Sequence, residues 1–541
     1  MNLEEKIRSI FPDEKDIPGE HLPPFPIMQR EYLLDGEIRS WQGRLQEVYS
    51  PVCVQGDGGL TQKRLGCYPM LTAEESLSAL DAACRAYDKG RGQWPKMRIE
   101  ERIRCVERFA FGMKEKKKEI VDLLMWEIGK SLADSSKEFD RTLVYISDTI
   151  NAVKELDRAS SRFEIREGII GQIRRSPLGV VLCMGPYNYP LNESFCTLIP
   201  ALVMGNAVIF KPPRFGVLLY GPLLQAFRDA FPKGVFNIVY GDGPEIIGPL
   251  MRSDRIDVLA FIGSSRVADG LKKQHPKPHR LRSVLGMEAK NAAIILSDAD
   301  IDLAVRECVS GSLSFNGQRC TAIKIIHVHK DIADEFLRKM NIAISALEPG
   351  MPWDRDVSLT PLPEPNKTKL MTEYIEDAVA HGASVVNDCG GMVNASFMFP
   401  AVLYPVDGRM RIYYEEQFGP VVPVIPFEDI EEPMRYIIDS NYGQQVSIFG
   451  TDSGGIAGLI DPLVNQVCRV NINSQCQRGP DSFPFAGRKD SAEGTLSVSD
   501  ALRVFTIRTL VAFKDTEQNK KIITEIVQEK KSDFLSTDFI L

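Results

Sequence analysis

The rhythm of apolar and polar positions changes near residue 179. From Glu74 to Lys89, and again from Lys96 to Trp126, apolar residues recur at helical spacing, and residues 72–160 read as helices. Beyond that the apolar positions condense into short runs: Gly179–Met184 (G-V-V-L-C-M), Ala207–Phe210, Val235–Tyr240 (V-F-N-I-V-Y) and Val258–Ile262 (V-L-A-F-I), with helix-length segments between them. Strands alternating with helices predict parallel β-α-β units and an open sheet covered on both faces. A second α/β block follows. Its expected strands are A-A-I-I-L (292–296) and I-K-I-I-H-V (323–328), and its expected helices are Asp300–Leu313 and Ile332–Leu347. Two further runs have strand character, G-I-I-G-Q-I-R-R-S-P (168–177) and R-V-F-T-I-R-T-L-V-A-F (503–513). Residues 1–50, rich in proline and charge, read as an irregular arm, and the charged tail from Lys514 reads as a helix.

A chain of 541 residues exceeds one compact core, so two or three domains are expected. With 44% hydrophobic and 26% charged residues the composition is that of a soluble globular protein. The net charge of -8 argues against a nucleic-acid partner, which selects a basic face. No apolar run approaches a membrane span of roughly 20 residues. The opening M-N-L-E-E-K-I-R-S-I lacks the apolar centre of a signal peptide. Eleven cysteines without a C-x-x-C pair point to reduced thiols and a cytoplasmic setting. The six histidines form no zinc pattern. His327 and His329 alternate on an expected strand, and no metal site is expected.

Candidate chemistry gathers where strands end. The turns G-D-G-P after Tyr240 and G-S-S-R after Ile262 present Gly263 and Ser264, and Ser264 or Ser265 is placed to cap the next helix. Strand-to-helix turns of this kind offer backbone N–H groups to a phosphate. The loop S-F-N-G-Q-R-C-T-A-I-K (314–324) puts Cys320 directly after Arg319. A neighbouring cation favours thiolate over thiol, so the pairing predicts a nucleophile. An oxyanion made by such a nucleophile needs preset donors. Asn188, in G-P-Y-N-Y-P at the end of an expected strand, offers two amide hydrogens.

Five motifs then occur in order: N-Y-P (188–190), K-P-P (211–213), F-I-G-S-S (261–265), G-Q-R-C (317–320) and E-E-Q-F-G-P-V (415–421). With these, the sequence closely resembles the aldehyde dehydrogenase superfamily from about residue 30 to about residue 513. The resemblance implies an α/β fold with a Rossmann-type cofactor domain (1–161 and 179–286), an α/β catalytic domain (287–494), a small β oligomerisation element (162–178 with 495–513) and a C-terminal tail (514–541). It implies a homodimer or homotetramer. It also implies that Cys320 attacks an aldehyde to form a thiohemiacetal, that Asn188 and the Cys320 backbone N–H hold the oxyanion, and that hydride transfer to a nicotinamide leaves a thioester for water. Lys211 matches the lysine that contacts the adenosine ribose, Ser264 the serine at the pyrophosphate, and Glu416 with Phe418 the pair at the nicotinamide end. Relatives that favour NAD often carry glutamate three residues after the lysine. Arg214 stands there, and an arginine attracts a 2′-phosphate, so NADP is expected, with NAD possible. The chain further resembles the subgroup that oxidises glyceraldehyde 3-phosphate without inorganic phosphate. The substrate-phosphate residues of that subgroup match Arg319, Tyr189, Arg478 and, on weaker local similarity, Arg141. Guanidinium groups around a phenol suit a small phosphorylated aldehyde.

One motif departs from the pattern. The general base of the family stands first in E-L-G-G-K, whereas this chain reads G-M-E-A-K, with Gly286 in that place and Glu288 two residues on. Two residues of extended chain span roughly 6 to 7 Å, so the two positions are not interchangeable. Either the loop brings Glu288 to the hydrolytic water, or another group serves, or a different acyl acceptor such as coenzyme A takes over. Two alternatives to the phosphorylated aldehyde stand beside this: a dehydrogenase for another anionic aldehyde such as a semialdehyde, and a non-catalytic binding protein on the same scaffold.

Overall fold

The computed structural model describes residues 2–56 and 58–540. The apolar runs from residue 179 onward form a six-stranded sheet in the order Phe236–Ile238, Ala207–Lys211, Val180–Met184, Val258–Ile262, Arg282–Gly286, Ala492–Glu493. The first five strands are parallel and the last is antiparallel. The strands Val180–Met184 and Ala207–Lys211 are buried on both faces except at Lys211, which is why they read as continuous apolar runs. The chain builds outward from Val180–Met184 to Phe236–Ile238, then returns to place Val258–Ile262 on the other side of its first strand. A ligand crevice forms at the carboxyl end of strands where the order reverses in this way. Both G-P-Y-N-Y-P and G-S-S-R lie at that end.

A second sheet has seven strands in the order Ser384–Val385, Ala401–Tyr404, Val421–Phe427, Ile323–His329, Asn291–Ile295, Gln445–Phe449, Arg469–Ile472. All but the first pairing are parallel. Helix Ile301–Leu313, capped by the Asp300 side chain, connects Asn291–Ile295 to the Cys320 loop. A third sheet is an antiparallel ribbon of Phe163–Arg166, Ile169–Pro177 and Thr506–Lys514. It leaves Ile165, on one outer strand, and Ile507 and Leu510, on the other, exposed at 66%, 50% and 57%.

Two expectations need correcting. Residues 1–50 are not an irregular arm: helix Leu3–Arg8 is followed by a hairpin of Glu31–Leu34 and Glu37–Ser40, Ile7 and Leu33 are buried, and Leu45–Gly56 pairs antiparallel with Gly59–Pro69. The pairing register shifts between Val48 and Tyr49 and again before Cys53, and a shifted register erases the period-two signal. The run 503–513 is not all strand, because helix Val498–Val504 precedes it and the strand starts at Thr506. The tail does form a helix, Glu517–Gln528. No helix among the described residues is long and apolar enough to cross a membrane.

Candidate active site

A cleft of about 920 Å3 opens between the two large sheets, and every site residue singled out from the sequence lines it. The helix Ile301–Leu313 delivers the chain to this cleft through Phe315, Asn316 and Gly317, all at positive φ. Gly317 is required as glycine: a Cβ there would lie 2.7 Å from the Gly419 carbonyl and 2.8 Å from that of Ser312. This bend sets Cys320 at the cleft floor, where Asn291 Nδ2 donates to its backbone carbonyl at 2.8 Å.

Asn188 meets the same loop. Its Nδ2 donates to the Gln318 carbonyl at 2.8 Å, which leaves the second amide hydrogen for a ligand. Lys130 and Glu138, which form a buried ion pair, hold this segment. Lys130 Nζ donates to the Asn188 backbone carbonyl at 2.7 Å and sits 3.7 Å from the Tyr189 ring centre. Glu138 Oε1 accepts from the N–H groups of Leu191 and Asn192 at the start of the next helix. Neither residue was picked out from the sequence. The signal for them was two opposite charges eight residues apart in an otherwise helical segment, and it is weak.

The expected effect of Arg319 on the thiol is overturned. Its Nη2 donates to the carbonyls of Gly311 and Ser310, at 2.7 and 3.3 Å, on the last turn of helix Ile301–Leu313, where a cation is favoured. Burial pushes the Cys320 thiol up to about 11, with the Glu193 carboxylate adding, while Lys324 and Arg478 oppose. Desolvation outweighs the cations, so Cys320 is a thiol at neutral pH. Lys324 is the nearby cation that the sequence reading missed. It is buried in an apolar strand, pairs with Glu416, and lies 4.6 Å from the Phe418 ring centre. A charge inside I-K-I-I-H-V was the signal.

Arg141 and Arg478 also differ from expectation, since structural carboxylates already engage both. Arg141 grips Asp481 through two bonds of 2.8 and 2.6 Å. Arg478, 6% exposed, pairs with Glu193, reaches Asp481 at 3.1 Å and donates to the Leu496 carbonyl at 3.2 Å. These two cations therefore form a neutral set with Asp481 and Glu193. Arg319 keeps its charge, with no carboxylate partner among the described residues.

The opposite wall is built differently. Lys211 ends its strand with only the Pro212 carbonyl, at 3.0 Å, as a partner. Burial lowers its pKa to about 8; Asp242 opposes that shift and Arg214 adds to it. Arg214 is exposed. Ser264 occupies the N-cap position of helix Ser265–Gln274, but its side chain makes no capping bond. Glu288 fills part of that role: its Oε2 accepts from the Ser265 N–H at 2.8 Å. Two cations without carboxylate partners beside a helix N-terminus make a donor set that fits a dinucleotide's phosphates. Gly286 has no steric need to be glycine, since a Cβ would meet Ile262 and Leu496 at ordinary contact distances of 3.5 and 3.7 Å. Glu416 accepts from the Ala289 N–H at 3.1 Å, and Phe418 holds a φ of 45° at the same end of the cleft. Among the described residues no group of three or more histidine, cysteine or carboxylate side chains is placed to hold a metal.

Comparison with known proteins agrees with this architecture. Over 491 residues the chain is 32% identical to an NADP-dependent glyceraldehyde-3-phosphate dehydrogenase of Apium graveolens, covering 89% of this chain and 95% of that one. It is 29% identical over 486 residues to a malonate-semialdehyde dehydrogenase of Listeria monocytogenes serotype 4a, covering 88% and 96%. The crystal structure of NADP-dependent glyceraldehyde-3-phosphate dehydrogenase from Bacillus halodurans C-125 complexed with NADP superposes with a TM-score of 0.82 at 30% identity, over 91% of this chain and all of that one. Residues 58–511 match the aldehyde dehydrogenase family, and with the fold and the cysteine cleft in agreement, this chain belongs to that family.

Proposed function

We propose that this protein oxidises glyceraldehyde 3-phosphate to 3-phosphoglycerate with NADP, without inorganic phosphate, in the cytoplasm. The observation that carries the reading is the placing of Cys320, Asn188, Tyr189 and Arg319 in one cleft with Lys211 and Arg214 on its far wall. Bound NADP supplies the hydride acceptor. Cys320 gives up its proton to solvent water in the cleft as its sulfur attacks the aldehyde carbon, and a C–S bond forms while the carbonyl π pair moves onto the oxygen as an oxyanion. The free amide hydrogen of Asn188 and the Cys320 backbone N–H stabilise that oxyanion. After hydride departure a water molecule attacks the thioester carbonyl and Glu288 accepts a proton from it; the C–S bond then breaks, which releases the acid and returns the Cys320 thiolate. For this Glu288 must leave the Ser265 N–H, where the phosphates of a dinucleotide compete for the same helix terminus. Lys211, Gly263 and Ser264 hold the adenosine ribose and pyrophosphate, Arg214 the 2′-phosphate, and Glu416 with Phe418 the nicotinamide end. Arg319, Tyr189, Arg478 and Arg141 form the substrate-phosphate wall.

We place the cofactor domain at 1–161 and 179–286, the catalytic domain at 287–494 and the oligomerisation element at 162–178 with 495–513. The unpaired outer strands of the ribbon, with Ile165, Ile507 and Leu510 exposed, support a homodimer or homotetramer.

A second reading has its own observation. Asp481 and Glu193 already neutralise Arg141 and Arg478, and a wall with one spare cation suits a monoanionic carboxylate as well as a phosphate dianion. Steady-state rates with glyceraldehyde 3-phosphate and with malonate semialdehyde, both in phosphate-free buffer with NADP, separate the two. A higher kcat/KM for glyceraldehyde 3-phosphate is expected. NADPH formation from the semialdehyde alone would replace the first reading with the second.

A further inference from the structure

A second cavity, of about 520 Å3, shares no lining residue with the catalytic cleft. Its walls are the start of helix Ile99–Lys114, the end of helix Leu132–Ser160, the ribbon strand Ile169–Pro177 and the last part of the chain from Val527 to Ile540. The terminal segment is docked rather than loose: Leu535 is 7% exposed, and Gln172 exchanges two hydrogen bonds with the Ser536 backbone at 2.6 and 3.2 Å.

Arg102 makes this cavity unusual. It is 7% exposed, and its Nε and Nη1 are fully buried with no hydrogen-bond partner among the described residues. A guanidinium held this way has been desolvated without compensation, which is costly. Its neighbours do not supply the missing acceptor. Asp157 is the carboxylate whose charge acts on it, and it is shared with Arg174, whose Nη1 lies 3.3 Å from it. Arg174 Nη2 donates to the Ser536 carbonyl at 3.1 Å, but its Nε is likewise buried and without a partner among the described residues. Asp533 and Asp538 are engaged by Arg98 and Lys530, each at 2.8 Å. Among the described residues the lining carries seven lysine and arginine side chains against four carboxylates, with Lys531 also paired to Glu525 and Glu529 beside it, on a chain whose net charge is -8. Phe534 and Phe539 add aromatic surface to the same wall.

We propose that this cavity, with Arg102 and Arg174 as its anchors, is a binding site for a small phosphate ester whose dianion supplies the acceptors the two guanidinium groups lack. Arginine forks match phosphate oxygens, the aromatic walls take an organic group, and the volume lies in the usual range for small ligands. The site is separate from the catalytic machinery and does not depend on the activity proposed above.

Titration calorimetry of phenyl phosphate into the full chain saturated with NADP tests this, with phenol as the neutral control. One equivalent per chain should bind, and phenol should not. Arg102→Met should weaken binding by roughly 10- to 100-fold, the value of a lost charge-assisted hydrogen bond. Lys211→Met and Arg319→Met should leave it unchanged. Arg174→Gln, on the facing wall, asks the same question should Arg102→Met fail to fold. Undiminished binding in these cavity variants would overturn the proposal. So would loss of binding in the Lys211 or Arg319 variants, which would place the ligand in the catalytic cleft, or no heat of binding at millimolar ligand.

Discussion

The two walls of the catalytic cleft use the same residue types in opposite ways. On the nucleotide wall, Lys211 and Arg214 have no carboxylate partners among the described residues. On the substrate wall, Arg141 and Arg478 are locked to Asp481 and Glu193 before any ligand arrives. An unpaired cation at a strand end waits for a ligand that brings the counter-charge. A paired, buried cation is part of the fold, and a ligand meets its residual donors in fixed positions. Charge alone therefore does not mark a binding residue; the partners a charge already has decide what it can still do.

Five experiments would break or sharpen this contrast. The largest effect belongs to the residue where the walls meet. Cys320→Ser should cut NADPH formation by about 10^4-fold or more, measured by steady-state absorbance, because an alcohol so enclosed is a poor nucleophile. Arg478→Gln comes next and probes structure rather than ligand. It leaves Glu193 and Asp481 buried and under-compensated, and should cost about 3 to 5 kcal/mol in denaturant unfolding. The matched Lys211→Met, on the other wall, should be neutral or stabilising, since it removes a desolvated charge. Equal losses from both would erase the distinction.

The third experiment concerns the base. Glu288→Gln should slow turnover by about 10^2-fold while leaving a full first burst of NADPH in stopped flow. Gly286→Glu in that background should restore steady turnover, because the fold has room for a side chain there. Fourth, Arg214→Ala should weaken NADP binding by roughly 10-fold or more and leave NAD binding unchanged, by fluorescence titration. The smallest effect is in pH. Burial lowers the Lys211 pKa to about 8, so its positive charge is present below that pH and lost above it. NADP affinity should fall by a few-fold between pH 7 and 9, and Lys211→Met should flatten the profile.

Much of this was legible along the chain, for identifiable reasons. The runs at 180–184, 207–211 and 258–262 are strands buried on both sides, so their apolar character is continuous and their glycine boundaries are sharp. The Cys320 loop stood out because Arg319 directly precedes the cysteine in G-Q-R-C. What was hidden was pairing across distance. Nothing near Arg478 in the sequence names Glu193 as its partner, 285 residues away. The same holds for the Cys320 thiol. Its sequence neighbour Arg319 turns toward the carbonyls of Gly311 and Ser310, while the charges that do bear on it come from Glu193, Lys324 and Arg478. The hairpin 45–69 escaped because its register shifts broke the alternation that reveals a strand.

Rapid acid quench of the wild-type protein after one turnover with glyceraldehyde 3-phosphate and NADP, followed by peptide mass mapping, bears most directly on the central claim that Cys320 carries the acyl group. A 3-phosphoglyceryl thioester on the peptide containing Cys320 is predicted. An unmodified Cys320 with NADPH already formed, or an acyl group on another residue, would contradict it.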